Sequence, residues 1–421
     1  MINAFKLITK NECEWIDIKE NSPESINERE LSLLVNYLKK QYGDKVILKF
    51  GYRKIMFINY VGYIQFFEFA IEILPKISLV KGENSLPEEE RRVLIEMLNR
   101  SGYFRINIFE KSNALNLSIS LLEVFASKYA DLIYTEIVKG FYRDYITIEE
   151  NANMLKGRLN VKNQIKNIAR NISKAYCEFT EFSVDNDLNK IFKAAFKVLL
   201  NFVKNKHIKN KLKDCLNFFD EVDDTEFNPA ALDYIVFDRR NERFKNAFIL
   251  AKAIIRKLSY ANKYYNCDAF SFLFEMNDLF EKYVASLVKS LFASGAITDY
   301  KIQDNTRYLL KNMINDSRSI KLRPDILIYK NTGRCLIIDT KWKSPLNSNN
   351  LIAASTFDLY QMYAYVTKYS DAVKGILLYP YMENAGLIPE WEASQEKTIA
   401  LGMITLDKYE NSILDLKTLL N

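Results

Sequence analysis

Asp325, Asp339 and Lys341 are the residues of this chain whose types and spacing could do chemistry. They lie in RPDILIYKNTGRCLIIDTKWK, residues 323–343, where two apolar runs flank Asn331-Thr332-Gly333. A three-residue turn with Gly333 in the left-handed position pairs Lys330 with Arg334. Counting outward along both strands then sets Asp325 opposite Asp339. Residues opposite each other in an antiparallel pair share a face, with Cβ atoms about 4.5–5.5 Å apart. Lys341, two residues beyond Asp339, points to the same face. Two carboxylates so placed repel, and buried charges are costly unless paired. A divalent cation resolves the conflict: Mg2+ takes oxygen ligands and is commonly held by one or two carboxylates beside a phosphate. Such an ion polarises a phosphate and lowers the pKa of a bound water, while Lys341 orients that water or stabilises developing charge. The expected chemistry is metal-assisted phosphodiester hydrolysis.

Composition narrows the alternatives. The single histidine, His207, excludes zinc hydrolases and two-histidine nucleases assembled within one chain. Cys13, Cys177, Cys215, Cys267 and Cys335 are odd in number, scattered and without a CxxC pair, which disfavours a disulfide framework, a zinc ribbon or an iron–sulfur cluster. The 421 residues exceed what one core usually holds, so two or three domains are expected. No run approaches the roughly 18 apolar residues that span a bilayer, and the first residues lack a signal-peptide pattern, so a cytoplasmic chain is expected. The net charge of +6 is modest. Its distribution is more telling: residues 151–174 carry Lys156, Arg158, Lys162, Lys166, Arg170 and Lys174 with no acid, and residues 188–213 carry eight lysines with none. From Arg158 the basic residues recur every fourth position, a stripe if the segment is helical. That face is either simply solvated or tracks phosphates.

Several elements must position the acids. The hairpin itself supplies two strands, DILIYK and RCLIIDTKW. Before it, FSFLFEMNDLFEKYVASLVKSLF shows apolar residues at helical spacing, with Glu275 and Glu281 outside the stripe. Further upstream, ERELSLLVNYLKKQYG reads as a helix, and KVILKF, RKIMFINY, VGYIQFFEF and AIEILPKI read as strands separated at Gly43-Asp44, Gly51 and Gly62. In NSLPEEERRVLIEML, Ser85 is placed as a cap, Pro87 in the first turn and Glu88 in a capping box. ISLLEVFASKYADLIYTEIVKGFYRDY reads as a longer helix to about residue 145, and helical text continues to about 265. The expectation is a multidomain α/β and α+β protein: a β-rich N-terminal domain with helices over 1–150, a basic helical region over 151–265, and a C-terminal domain over 266–421.

Pro324-Asp325 followed by Asp339-Thr340-Lys341 resembles the PD-(D/E)xK nuclease signature. MNDLFEKYV resembles the helix that carries the fold's glutamate, favouring Glu281 over Glu275, and in DLYQMYAY the pair Gln361 and Tyr365 is similar to the QxxxY element of RecB-like members. EILPKI, LKGRLN, FSVDNDLNKIFKAA, FLFEMNDLFE and YQMYAY, in this order, resemble the McrC family, nuclease subunits of McrBC-type modification-dependent restriction systems.

The resemblance implies a restriction-endonuclease-like C-terminal fold, a mixed central sheet flanked by helices. It implies Mg2+, with Mn2+ able to substitute, held by Asp325, Asp339, the Thr340 carbonyl and Glu281, with Lys341 completing the catalytic set. It implies supporting or DNA-contacting roles for Gln361, Tyr365 and Lys343. It further implies double-stranded DNA as substrate and an AAA+ GTPase partner of McrB type. That hexameric ring would recognise and translocate DNA, while the N-terminal domain docks there and stimulates GTP hydrolysis. Two nuclease subunits could bridge two rings. No GxxxxGK[ST] loop occurs, so no nucleotide site is expected in this chain. Two other classes stand beside this one, a noncatalytic activator with a relict nuclease fold and a stand-alone RecB-like exonuclease. The intact Asp, Asp and Lys set favours cleavage.

Overall fold

Short runs of β-branched and aromatic residues open the chain, and each pairs at long range. The computed structural model describes residues 5–20, 22–75, 86–103, 119–224, 231–259, 269–330, 333–345, 354–382, 388–394 and 396–420. In the first part, β1 (Lys6–Asn11), β2 (Trp15–Asp17), α1 (Glu28–Tyr42), β3 (Leu48–Gly51), β4 (Lys54–Phe57), β5 (Tyr60–Gln65) and β6 (Phe69–Leu74) precede α2 (Pro87–Arg100). Asn27 and Glu30 cap α1 reciprocally, and Gly43 ends it at a φ of 62°. In α2, Pro87 opens the helix as expected, but Leu86 stands at the N-cap and makes no side-chain bond; Ser85 lies outside the described residues.

The middle of the chain holds α3 (Leu121–Ile137), β7 (Asp144–Ala152), β8 (Arg158–Leu159), α4 (Val161–Ala169), β9 (Ala175–Ser183), α5 (Asp187–Phe202), α6 (Lys206–Asn217) and α7 (Lys245–Ser259). The expectation of helix throughout 151–265 is therefore corrected. α3 ends at Ile137, Gly140 takes a φ of 122°, and the Tyr-Ile-Thr-Ile run after Asp144 pairs with β9 as residues of that type prefer. Arg158 sits on β8 while Lys162 and Lys166 sit on α4, so the basic residues do not form one helical stripe. The lysine bias over 188–213 is partly neutralised in space: Lys190 pairs with Asp185 at 2.9 Å, Lys193 with Asp224 at 3.2 Å and Lys211 with Asp131 at 2.7 Å.

The remainder comprises β10 (Phe270–Glu275), α8 (Met276–Ala293), β11 (Asp299–Ile302), β12 (Tyr308–Lys311), β13 (Arg318–Lys321), β14 (Ile326–Tyr329), β15 (Cys335–Thr340), α9 (Thr356–Lys368), β16 (Ala372–Pro380), β17 (Glu390–Ser394), β18 (Lys397–Ile404) and α10 (Tyr409–Leu419). The helix expected from Phe272 begins at Met276, because FSFLFE is a strand that joins β1, β6 and β5 in the order β1-β6-β5-β10. Gly62, expected in a turn, lies inside β5. Its φ of 133° is open to glycine, and a Cβ there would stand 2.0 Å from the Phe272 carbonyl oxygen.

Contacts divide the chain into two units, one made of Met1–Ile64, Glu68–Leu121 and Phe272–Asn421, the other of Gln65–Phe67 and Leu122–Ser271. Boundaries at 150 and 265 follow the local text; the pairing of β10 with N-terminal strands is a long-range event that local patterns do not carry. In the first unit a six-stranded mixed sheet runs β11-β14-β15-β16-β18-β17. Its β15 and β16 are parallel and joined through α9, whereas β14 and β15 are the antiparallel hairpin. One apolar layer combines Leu327, Cys335, Ile337, Leu377 and Leu401 of the strands with Met362, Tyr365 and Val366 of α9. In the second unit, α5 packs on α6 and α7, and buried Tyr129 donates to the Phe192 carbonyl at 3.0 Å. Among the described residues no helix is long and apolar enough to cross a membrane.

Candidate active site

The hairpin register is the one that a three-residue turn requires. Ile326 faces Ile338, Leu327 faces Ile337 and Tyr329 faces Cys335, so one further step sets Asp325 opposite Asp339. Gly333 adopts a φ of 71° and donates its N–H to the Lys330 carbonyl at 3.0 Å; Asn331 and Thr332 lie outside the described residues. Alternation fixes the face. Leu327, Cys335 and Ile337 point into the layer beneath α9, and the same period of two brings Asp325, Asp339 and Lys341 to that side at the strand ends. Trp342 takes the opposite side, where its ring packs 5.5 Å from Phe280 of α8 and its Nε1 donates to Glu12 at 3.1 Å.

Asp339 is 3% exposed. Burial and the neighbouring Asp325 charge push its pKa up to about 6, against the lowering influence of Lys341. Burial also raises Asp325, although the Thr340 N–H and hydroxyl both donate to its Oδ2 at 2.7 Å. Lys341 Nζ is in ion-pair contact with Asp339 Oδ2. Half-buried Glu281 donates nothing and accepts from Gln303 Nε2 at 2.5 Å; burial and the Asp325 charge raise it to about 6. Glu275 is engaged elsewhere, accepting from Tyr60 at 3.1 Å and Lys45 at 3.3 Å.

The α9 side chains form a relay onto these groups. Lys341 Nζ donates to Gln361 Oε1 at 3.0 Å, Gln361 Nε2 to the Tyr365 hydroxyl at 3.0 Å, and Tyr365 to the Arg323 carbonyl at 3.1 Å. Burial and the Asp339 charge raise the Tyr365 phenol to about 12, so it stays a donor. Gln361 and Tyr365 therefore fasten the lysine to the backbone that leads into Asp325.

Sequence reasoning missed Asp358. It is 3% exposed in the first turn of α9, pairs with Lys343 at 2.5 Å and stands 3.8 Å from Lys341. Burial opposes its ionisation, yet Lys343, Ser355 and Lys341 together hold its carboxyl below the ordinary range. Lys343, expected either to support the site or to contact DNA, has a protein partner here. The signal was present: Asp358 precedes Gln361 by three residues, which puts both on one helix face. Gln303 and Arg323, linked to each other and to Glu281, were also missed, and no local pattern marks Gln303.

Among the described residues no group of three His, Cys, Asp or Glu side chains is arranged to hold a metal ion. What does fit is the pair of facing carboxylates, with the buried Asp339 Oδ2 met by the Lys341 ammonium that a cation could displace. These are hard oxygen donors of the kind Mg2+ uses when most of its remaining positions are filled by water and phosphate.

A family model described as "McrBC 5-methylcytosine restriction system component" matches residues 55–380. No curated protein matches the chain. Among solved structures, the chain is similar to one described as a refined half-complex from a tetradecameric assembly of Thermococcus gammatolerans McrB AAA+ hexamers with bound McrC. The identity is 19% and the TM-score 0.74, covering 98% of this chain and 100% of that one. It is also similar to a chain of the Thermococcus gammatolerans McrBC complex, at 22% identity and a TM-score of 0.51, covering 68% and 87%. At such identities the likeness is one of fold.

Proposed function

The chain belongs to the McrBC family of restriction-system components, and from that premise we propose that it is the DNA-cleaving subunit of such a system. The observation that carries this reading is the pairing of Asp325 with buried Asp339 beneath Lys341, Gln361 and Tyr365. A relict fold would have no physical reason to keep two repelling carboxylates on one face. The mixed six-stranded sheet, with the acids at the ends of β14 and β15, supports a PD-(D/E)xK nuclease fold.

Asp325 and Asp339 would hold Mg2+ together with the Thr340 carbonyl, with Mn2+ able to substitute; Glu281, which is not grouped with the pair as a metal-holding set here, would join only by shifting toward them. When bound, the ion would supply Lewis-acid polarisation of the phosphate and acidify a bound water. Lys341 is the protein's own contribution: its ammonium, steered by Gln361, neutralises charge developing on the phosphate and orients the attacking water. Tyr365 keeps that lysine in register with Asp325. Asp358 anchors Lys343 and, 3.8 Å from Lys341, shares that lysine with Asp339.

The partner is an AAA+ GTPase ring of McrB type, whose GTP hydrolysis the chain stimulates and which delivers the duplex. The matched complex of McrB hexamers with McrC supports this assembly. The test is cleavage of methylated and unmethylated duplexes with Mg2+, with and without that ring and GTP. The reading expects cutting only with ring and nucleotide present. Vigorous cutting by the chain alone would instead make it a free-standing exonuclease.

A further inference from the structure

Between β11 and the catalytic hairpin, the chain makes a second hairpin that the proposed chemistry does not use. β12 and β13 pair antiparallel, with Tyr308 opposite Lys321, Leu310 opposite Ser319 and Lys311 opposite Arg318. Its root is fixed. Leu322 donates to the Arg307 carbonyl at 2.9 Å, Leu309 packs into the layer beneath α9, and Tyr369, which follows α9, donates to Asp304 at 2.5 Å. Its outer part is bare: every residue from 310 to 321 is exposed, with Met313 at 89% and Ile314 at 96%. Two large apolar side chains at the tip of a ribbon have no role in this chain's own core.

The charge on the ribbon is one-sided. Arg307, Lys311, Arg318 and Lys321 face a single acid, Asp316, which pairs with Lys311 at 2.8 Å. Arg318 and Lys321 flank the Tyr308 ring at 5.8 and 5.9 Å. A two-stranded ribbon fits a DNA groove, apolar tips wedge between base steps, and basic flanks bind phosphates. The placement agrees. Lys321 is four residues from Asp325, a reach of about 14 Å at most, which corresponds to roughly four nucleotides of rise along one strand.

We propose that the β12–β13 hairpin grips duplex DNA beside the scissile phosphate, with Arg307, Arg318 and Lys321 on the backbone and Met313-Ile314 in a groove. This rests on the nuclease reading. The test is fluorescence anisotropy of the full-length chain with a fluorescein-labelled duplex in Ca2+, across a salt series. The charge variant is Arg307→Ala, Arg318→Ala and Lys321→Ala combined. It should bind at least tenfold more weakly at low salt, and the slope of log affinity against log salt should fall by about two to three. Met313→Ser with Ile314→Ser should weaken binding severalfold and leave the slope unchanged. If the charge variant fails to fold, as judged by its melting curve, the tip variant decides. Binding by both variants equal to wild type would overturn the hairpin assignment alone. Wild-type chain that binds no duplex would overturn the hairpin assignment, while the nuclease reading is decided separately by the ring-dependent cleavage assay. Unaltered DNA affinity with lost self-association on sedimentation would make the ribbon a protein contact and likewise overturn the proposal.

Discussion

Asp339 concentrates the conflict of the site in one side chain, with burial and Asp325 raising its pKa to about 6. The folded chain thus holds this proton more tightly than the unfolded one. The stability this contributes is fully present below about pH 4 and is lost as the pH rises through about 6. Asp339→Asn removes that penalty, so at pH 8 without metal the variant should be the more stable by roughly 2–3 kcal/mol. Its melting temperature should also vary less with pH. Adding Mg2+ should raise the melting temperature of the wild type and not of the variant; an equal rise in both would place the ion elsewhere. Asp358 acts through its lysines. Asp358→Asn leaves Lys341 with Asp339 as its one carboxylate partner among those described, so cleavage should fall by about tenfold or more. Assembly with the ring should be unchanged. Wild-type cleavage by that variant would reduce Asp358 to a helix-terminus residue.

The elements show why segments such as FSVDNDLNKIFKAA have their form. Asn186 caps α5 by accepting from the Asn189 N–H at 3.1 Å, and the Asn189 amide donates to the Tyr142 and Val184 carbonyls at 2.8 Å each. Asn189→Ala removes both bonds while Asn186 still donates to each carbonyl, and should cost about 1–2 kcal/mol, read as a shifted urea midpoint. A midpoint equal to wild type would mean that water replaces those bonds. Gly157 in LKGRLN is likewise structural: φ is 68°, and a Cβ would stand 2.6 Å from the Glu178 carbonyl oxygen. The hairpin of Asp325 and Asp339 was the most legible element, because turn length and the period of two together set which residues share a face. α1 and α9 were legible as helices, whereas the cap at Asn27 emerged only from the structure. β10 was not, since FSFLFE suits either period and its partner β5 is some two hundred residues away. Nor was the end of α3, where apolar spacing continues past Ile137 but Gly140 turns the chain.

At the scale of the whole molecule, the β14–β15 hairpin and the N-terminal strands belong to one unit, while the strands β7 to β9 and the helices around them form another. Deleting residues 1–150 would therefore strip β1, β6 and β5 from β10 and undermine the candidate site, so it cannot test docking to the partner by itself. The assembly is better probed in the intact chain, where binding to the ring, stimulation of GTP hydrolysis and DNA cleavage can be read separately. The chain alone should stimulate no nucleotide hydrolysis of its own, consistent with the lack of a phosphate-binding loop in its sequence. The most direct test combines wild-type or Asp339→Asn chain with the McrB-type ring, GTP, Mg2+ and methylated duplex, and follows cleavage and GTP hydrolysis in the same sample. The account predicts that both proteins stimulate GTP hydrolysis equally and that the wild type alone cuts. Cleavage by the Asp339→Asn chain at the wild-type rate would contradict it.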